Sequence, residues 1–241
     1  GDLLHRALHA AFELNRELSP SVPVNERLAR AREAAERACS LDAAGSPIRR
    51  DGRARAVNDA IEVLRQDLEG DGAFVYRDGE RPFNRYQAPP WGPLVLRGPR
   101  GQEVFVEGRL DRLDVSRDGS AIRVVDYKSG AGKARKIGET DFQVPLYALV
   151  AKRQGAGRTL GVYASVGQGG LVTMRPRKES DQELDLDPIA LTAAGAVERV
   201  WSGAVAPRPR SPRVCDHCNA RGLCRRPAVV PADDDPFGEQ G

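Results

Sequence analysis

The stretch VVDYKSG, residues 124–130, sets a carboxylate and an ammonium two residues apart, just ahead of a glycine. In a strand, alternate side chains share a face. Asp126 and Lys128 then project together, with Ile122 and Val124 behind them, and the Tyr127 side chain turns away. A second stretch, GRLDRLD at 108–114, carries Asp111 and Asp114. A hairpin between the two stretches brings Asp111 close to Asp126. Two carboxylates at one point repel unless a cation sits between them, and oxygen ligands of this kind suit Mg2+ or Mn2+. A lysine beside them can orient a water and offset charge developing on a phosphate. On its own, DYK reads first as a surface Asp–Lys pair on an edge strand, and only the surrounding order of motifs favours chemistry. Asp114 could also ligate, but reads first as a turn residue or a salt-bridge partner of Arg112. Glu107 shares the strand parity of Asp111 and reads as a residue supporting it.

A second constellation lies near the C-terminus. Cys215, Cys218 and Cys224 fall within VCDHCNARGLC, and the fourth cysteine, Cys39, is far upstream. There is no charged start followed by an apolar signal core. Apolar runs such as PLYALVA are too short to span a bilayer. A cytoplasmic location with reduced thiols is therefore the expectation, and clustered cysteines there read as metal ligands before disulfides. Spacings of two and then five residues fit no common structural zinc pattern, and His217 would complete one only at a strained spacing.

A chain of 241 residues with 40% hydrophobic content is expected to form one elaborated domain with a real core. A net charge of +3 on a sequence that is 29% charged permits nucleic-acid binding without demanding it. Residues 2–18 read as an amphipathic helix with Leu4, Leu8 and Ala11 on one face, flanked by Leu3, Ala7 and Phe12. His5 sits at the edge of that apolar arc, where it can face a cleft. His9 lies more to the polar side, and the H-x-x-x-H pair lacks an apparent third zinc ligand. Helices are predicted at 24–40 and 54–68, separated by the breaker AAGSPIRRDG. Short strand-like runs follow from 73 to 127. EVFVEGRL alternates, with Val104, Val106 and Leu110 to one side, and SRDGS turns the chain into AIRVVDYK. A helix at 143–153 has Pro145 in its first turn, so Gln143 and Tyr147 stand near a helix N-terminus, a favourable place for phosphate. TLGVYASV and GLVTMRP form another strand pair, a helix covers 188–202, and the Pro- and Asp-rich tail is expected to be disordered. This order implies an α/β sandwich around one mixed or antiparallel sheet.

The succession GRLDRLD, hairpin, VVDYKSG and then QVPLYALV, opened by GDLLH, resembles the PD-(D/E)XK nuclease superfamily, and more narrowly the RecB and AddB type of nuclease domain. The resemblance runs from residue 1 to about 227. It implies a restriction-endonuclease-like α/β core, a mixed central sheet flanked by helices, with N-terminal helices and a C-terminal cysteine segment. It implies catalytic roles for Asp111, Asp126, Lys128, Gln143 and Tyr147. It implies that Mg2+ or Mn2+ is held by His5, Asp111, Asp126 and the Tyr127 backbone carbonyl. In the AddB-like pattern, the C-x2-C-x5-C tail supplies three corners of a [4Fe–4S] cluster. Its remaining cysteine precedes the G-x-x-x-H helix, which would lie upstream of Gly1, with Cys39 the weaker candidate. The implied organisation is one nuclease domain over 1–229, with a helical part at 1–70, a catalytic core at 71–204 and the cysteine segment at 205–229, followed by a tail at 230–241. The implied function is Mg2+-dependent exonucleolytic degradation of single-stranded DNA in repair or recombination, fed by a helicase motor in the same or a partner chain. KARK at 133–136 can track phosphates, or equally be a solvated loop. Two other readings stand beside this one: a DNA-binding or scaffold module that kept the fold and lost cleavage, and a zinc-stapled interaction module.

Overall fold

A computed structural model describes residues 2–40, 47–129, 142–155, 157–167, 172–175 and 186–204. Helix α1 (Asp2–Glu17) buries Leu4, Ala7, Leu8, Ala11 and Phe12, the stripe that a 3.6-residue period places on one face. Helix α2 (Val24–Ser40) buries Leu28, Ala31, Ala35 and Cys39, again one stripe, and its small side chains let it lie close against α1. Helix α3 (Pro47–Glu69) begins seven residues earlier than the expected 54. Its first residue is a proline, which the first helical position tolerates because no N–H is needed there.

The remaining elements follow in chain order: β1 (Phe74–Phe83), β2 (Leu94–Arg97), β3 (Glu103–Val106), β4 (Gly108–Ser116), β5 (Ala121–Ser129), α4 (Gln143–Lys152), β6 (Arg158–Val166), β7 (Val172–Arg175) and α5 (Leu186–Trp201). Five strands make one sheet in the order β1-β4-β5-β6-β7. Its pairs are antiparallel except for β5 with β6, which run parallel. A parallel pair needs a crossover, and α4 lies within it. The two central strands are buried along almost their whole length, as strands covered on both faces must be. Val125, Tyr127, Val162, Ala164 and Val166 join the core built by α1, α2 and α3. Ile122 and Val124 alternate to the other face, and α4 packs on β5 and β6 through Val144, Ala148 and Ala151.

EVFVEGRL is not one strand. The chain changes sheets at Glu107: β3 pairs with β2 in a separate two-stranded sheet, and β4 starts afresh at Gly108. Val104 and Val106 thus belong to the small sheet and Leu110 to the large one. The β4–β5 hairpin closes where SRDGS predicted it. Asp118 accepts hydrogen bonds from the Ser116 and Ser120 hydroxyls, and Gly119 takes the left-handed conformation at φ 72°. The chain divides into two compact units, residues 1–193 and 194–241. Every described side chain of the site below belongs to the first. Among the described residues, no helix is long and apolar enough to cross a membrane.

Candidate active site

Strands β4 and β5 pair only from Arg112↔Val125 to Val115↔Ile122. Beyond that point no further pair forms, and the Tyr127 amide donates instead to Asp111 Oδ2 at 2.9 Å. A side chain takes the place of a ladder bond, which fixes the Asp111 carboxylate in the fork. Asp126 and Lys128 lie two apart on β5, with Lys128 Nζ 2.7 Å from Asp126 Oδ2. The carboxylate is 1% exposed and the lysine side chain 38%, so a buried acid anchors an ammonium that still reaches solvent. Between them, Tyr127 turns into the helical core, and its hydroxyl accepts from Arg112 at 3.2 Å.

Two helices complete the cluster. From α1, His5 Nδ1 lies 3.6 Å from Asp111 Oδ1 and 3.3 Å from Glu80 Oε1 of β1. From the first turn of α4, Gln143 Oε1 accepts from Lys128 at 2.9 Å, and Gln143 Nε2 donates to the Tyr147 hydroxyl at 3.3 Å. The fold thus gathers His5, Asp111, Asp126, Lys128, Gln143 and Tyr147 about one fork, with the Tyr127 backbone inside it. Glu107 is not part of this group: it lies at the surface, accepting from Arg85 at 3.0 Å. His9 is also apart, 3.4 Å from the Tyr76 hydroxyl, so no zinc pair with His5 forms. Asp114 is a structural acid, fully buried, 2.5 Å from Arg112 and 2.7 Å from Arg123. Cys39 is buried in the helical core, its thiol 3.5 Å from the Leu3 carbonyl. Cys215, Cys218, Cys224, KARK and Gly1 lie outside the described residues.

Reading the sequence missed Glu80. It lies in β1 between the ladder pairs Gly79↔Arg112 and Arg81↔Leu110, which sets it opposite Asp111. The preceding Asp78-Gly79 reads locally as a turn, not as the middle of a strand. Gly79 is there for another reason: a Cβ on it would come within 2.7 Å of the Tyr76 hydroxyl and 3.1 Å of the Asp111 carbonyl. No local signal identifies Glu80; only the β1–β4 register does.

The site carries an excess of acids. Burial pushes the Asp111 carboxyl up to about 6; His5 opposes this and the charge of Asp126 adds to it. The hydrogen bond to Glu80 raises His5 against the effect of its burial. Burial opposes ionisation of Glu80, but hydrogen bonds from His5 and Arg109 outweigh it and lower its pKa. Burial also raises Tyr147, so its hydroxyl stays protonated at neutral pH. Donor atoms of His5, Glu80 and Asp111 all lie within 4.8 Å of one another. Converging carboxylates plus one imidazole, with an acid made costly to ionise, form a donor set that fits a hard divalent cation such as Mg2+ or Mn2+.

Comparison with known proteins agrees with this chemistry. A family model for the PD-(D/E)XK nuclease superfamily matches residues 1–225. An ATP-dependent helicase/deoxyribonuclease subunit of Thermoanaerobacter sp. (strain X514) is 31% identical over 98 residues, which are 40% of this chain and 8% of that protein. The subunit of the same name from Bacillus mycoides (strain KBAB4) is 34% identical over 89 residues, 36% of this chain and 7% of that protein. The chain therefore matches only a small fraction of the length of these curated relatives.

Proposed function

Because the chain belongs to the PD-(D/E)XK nuclease superfamily, we propose that it is a metal-dependent deoxyribonuclease domain acting as an exonuclease on single-stranded DNA. In this reading it works in the cytoplasm, in repair and recombination, on a strand delivered by a helicase motor in the same or a partner chain. Residues 1–229 act as one nuclease unit. The observation that supports cleavage most strongly is the pairing of two half-sites through a single hydrogen bond. His5 and Asp111 stand on one side of the fork, Asp126, Lys128, Gln143 and Tyr147 on the other, and the Tyr127 amide joins them.

In this assignment His5, Asp111, Asp126 and the Tyr127 carbonyl hold Mg2+ or Mn2+. Such an ion polarises phosphate oxygens and makes a water a stronger nucleophile at neutral pH. The chain's own residues do the rest. Lys128 has three N–H donors; Gln143 takes one, and the ammonium pairs with the Asp126 carboxylate at 2.7 Å, which leaves donor capacity for the attacking water or a phosphate oxygen. Gln143 donates to the Tyr147 oxygen, which leaves the Tyr147 proton to meet a phosphate oxygen. The pair thus positions the substrate phosphate against Lys128. Cys215, Cys218 and Cys224 bind a [4Fe–4S] cluster in this reading, and Cys39 stays in the core. The test is degradation of end-labelled single-stranded DNA by the purified chain. Mg2+-dependent release of short products that stops in EDTA is expected. Intact DNA with both Mg2+ and Mn2+ would favour the non-cleaving module instead.

A further inference from the structure

Between β1 and β4 the chain makes an excursion that includes the two-stranded sheet β2-β3. The stretch 81–109 holds five arginines and two glutamates, with no lysine and no aspartate. Its net charge equals the +3 of the whole chain, so the remainder is balanced. It also holds four of the chain's thirteen aromatic residues, Phe83, Tyr86, Trp91 and Phe105. Two of these rings are used inside the fold. Phe83 is fully buried, pairs with Gly108 at the root of the excursion and packs on the Tyr147 ring at 5.7 Å. Trp91 is covered by the Arg81 guanidinium, 5.1 Å from its centroid. Tyr86 and Phe105 instead turn to solvent, 84% and 63% exposed. Phe105 stands opposite Val95 on the outer face of the small sheet, whose inner face buries Leu94, Leu96 and Val104.

Scattered surface rings need no explanation, but these two stand on a braced frame beside the cleavage site. The Arg85 side chain and backbone amide both donate to Glu107, which ties the loop carrying Tyr86 to the end of the strand carrying Phe105. Arg153, the cap of α4, donates to the Gly92 and Pro93 carbonyls at 3.2 and 3.0 Å. The excursion is thus fastened at two points along the helix that carries Gln143 and Tyr147: at Tyr147 through Phe83, and at Arg153. Tyr86 lies three residues beyond Phe83, a chain reach of at most about 11 Å.

We infer that Tyr86 and Phe105 are stacking platforms for the bases of a single-stranded nucleic acid whose backbone runs on to the cleavage site. This rests on the nuclease reading of that site. Every base has a π-face, so aromatic stacking holds a strand without reading its sequence. In a duplex those faces are covered by neighbouring bases, so the platforms favour single strands. The positive excess of the excursion suits a polyanion. Arginine in place of lysine fits the same partner, because a guanidinium both stacks on rings and forks onto phosphate.

The experiment measures binding of the full chain, in EDTA, to a fluorescent oligothymidylate, to an abasic strand of the same length and to a duplex. The proteins are wild type, Tyr86→Ala, Phe105→Ala, Tyr86→Trp and the Tyr86→Ala/Phe105→Ala double variant. Both positions are exposed, so the variants should melt with wild type. Each alanine should weaken oligothymidylate binding about fivefold or more, the scale of one lost base–ring stack. Tyr86→Trp should retain it, and binding to the abasic strand and to the duplex should not change. With Mg2+, the single-turnover cleavage rate at saturating protein should match wild type, with more protein needed to reach it. Wild-type affinity for oligothymidylate in the double variant would overturn the platform and leave this face to a protein partner. An equal loss on the abasic strand would overturn it too, because stacking needs bases. Stacking that behaves as expected in a wild type that cuts nothing with Mg2+ or Mn2+ would uphold the platform and overturn the nuclease reading alone.

Discussion

Asp111→Asn should make the metal-free protein more stable at pH 7 while abolishing its metal binding. Asp111 Oδ2 accepts the Tyr127 amide at 2.9 Å, and an asparagine carbonyl can accept the same bond, so the fork between β4 and β5 survives. What disappears is a charge that burial makes costly. Burial first, opposed by His5 and reinforced by Asp126, lifts the carboxyl from 3.8 to about 6. A folded-state value above the unfolded one means that the ionised form opposes folding. That penalty is complete above pH 6 and gone below the unfolded pKa near 4. With the side chain only 11% exposed, solvent screening removes little of it. The difference corresponds to about 3 kcal/mol, against the roughly 5–15 kcal/mol that holds a typical domain together. In urea denaturation with EDTA, the Asp111→Asn midpoint should lie on the order of 1 M higher at pH 7. The gap should close as pH falls from 6 towards 4, because wild type regains what the charge cost. Saturating Mn2+ should reverse the order, since only wild type gains from binding. If Asp111→Asn is the less stable protein at pH 7 in EDTA, the burial argument is refuted.

Arg112→Met removes a guanidinium that pairs with Asp114 at 2.5 Å and Asp67 at 2.7 Å and lies over the Phe12 ring. Buried Asp114 then keeps Arg123 alone, and denaturation should show a loss of about 3–5 kcal/mol; a neutral result would mean the network is replaceable by apolar packing. DNA binding measured in EDTA should persist and fall steeply with salt, because phosphate contacts supply most non-specific affinity. Salt-independent binding would point to a protein-binding module. After anaerobic reconstitution with iron and sulfide, Cys218→Ser should lose the cluster absorbance and Cys39→Ser should keep it. Loss of absorbance in Cys39→Ser would make Cys39 the fourth ligand.

Much of the site was legible because its chemistry is local. VVDYKSG carries both the strand period and the two charged groups, and the Asp126–Lys128 contact at 2.7 Å follows from that period alone. QVPLYALV likewise contains its own helix start, which sets Gln143 and Tyr147 one turn apart. Other features depend on register or on tertiary pairing. Glu80 reaches the site only because β1 pairs with β4, and the adjacent Asp78-Gly79 imitates a turn. The burial of Arg112 arises from Asp67 on α3, 45 residues away, and from the Phe12 ring on α1, neither of which a pattern within β4 can reveal. EVFVEGRL alternates cleanly, yet the chain leaves one sheet for another at Glu107, since a period of two says nothing about which partner a strand takes. The early start of α3 was hidden by Pro47 and Gly52, residues that usually punctuate but that this helix accommodates, Pro47 at its first position and Gly52 in its second turn.

The central claim, that Lys128 beside Asp126 and Asp111 performs phosphodiester cleavage, is tested most directly by single-turnover digestion of labelled single-stranded DNA by wild type and Lys128→Ala. Protein should be in excess, with Mg2+ present, and binding of each protein to the same DNA measured in parallel. Because Lys128 is paired with the buried Asp126 carboxylate at 2.7 Å, its removal leaves a buried charge without that partner, and the Lys128→Ala rate is read at a temperature where its circular dichroism matches that of wild type. The cleavage rate should fall at least 100-fold, the scale for losing one electrostatic donor at a transition state, with DNA affinity changed little. A Lys128→Ala protein that cuts within a fewfold of the wild-type rate would contradict the assignment.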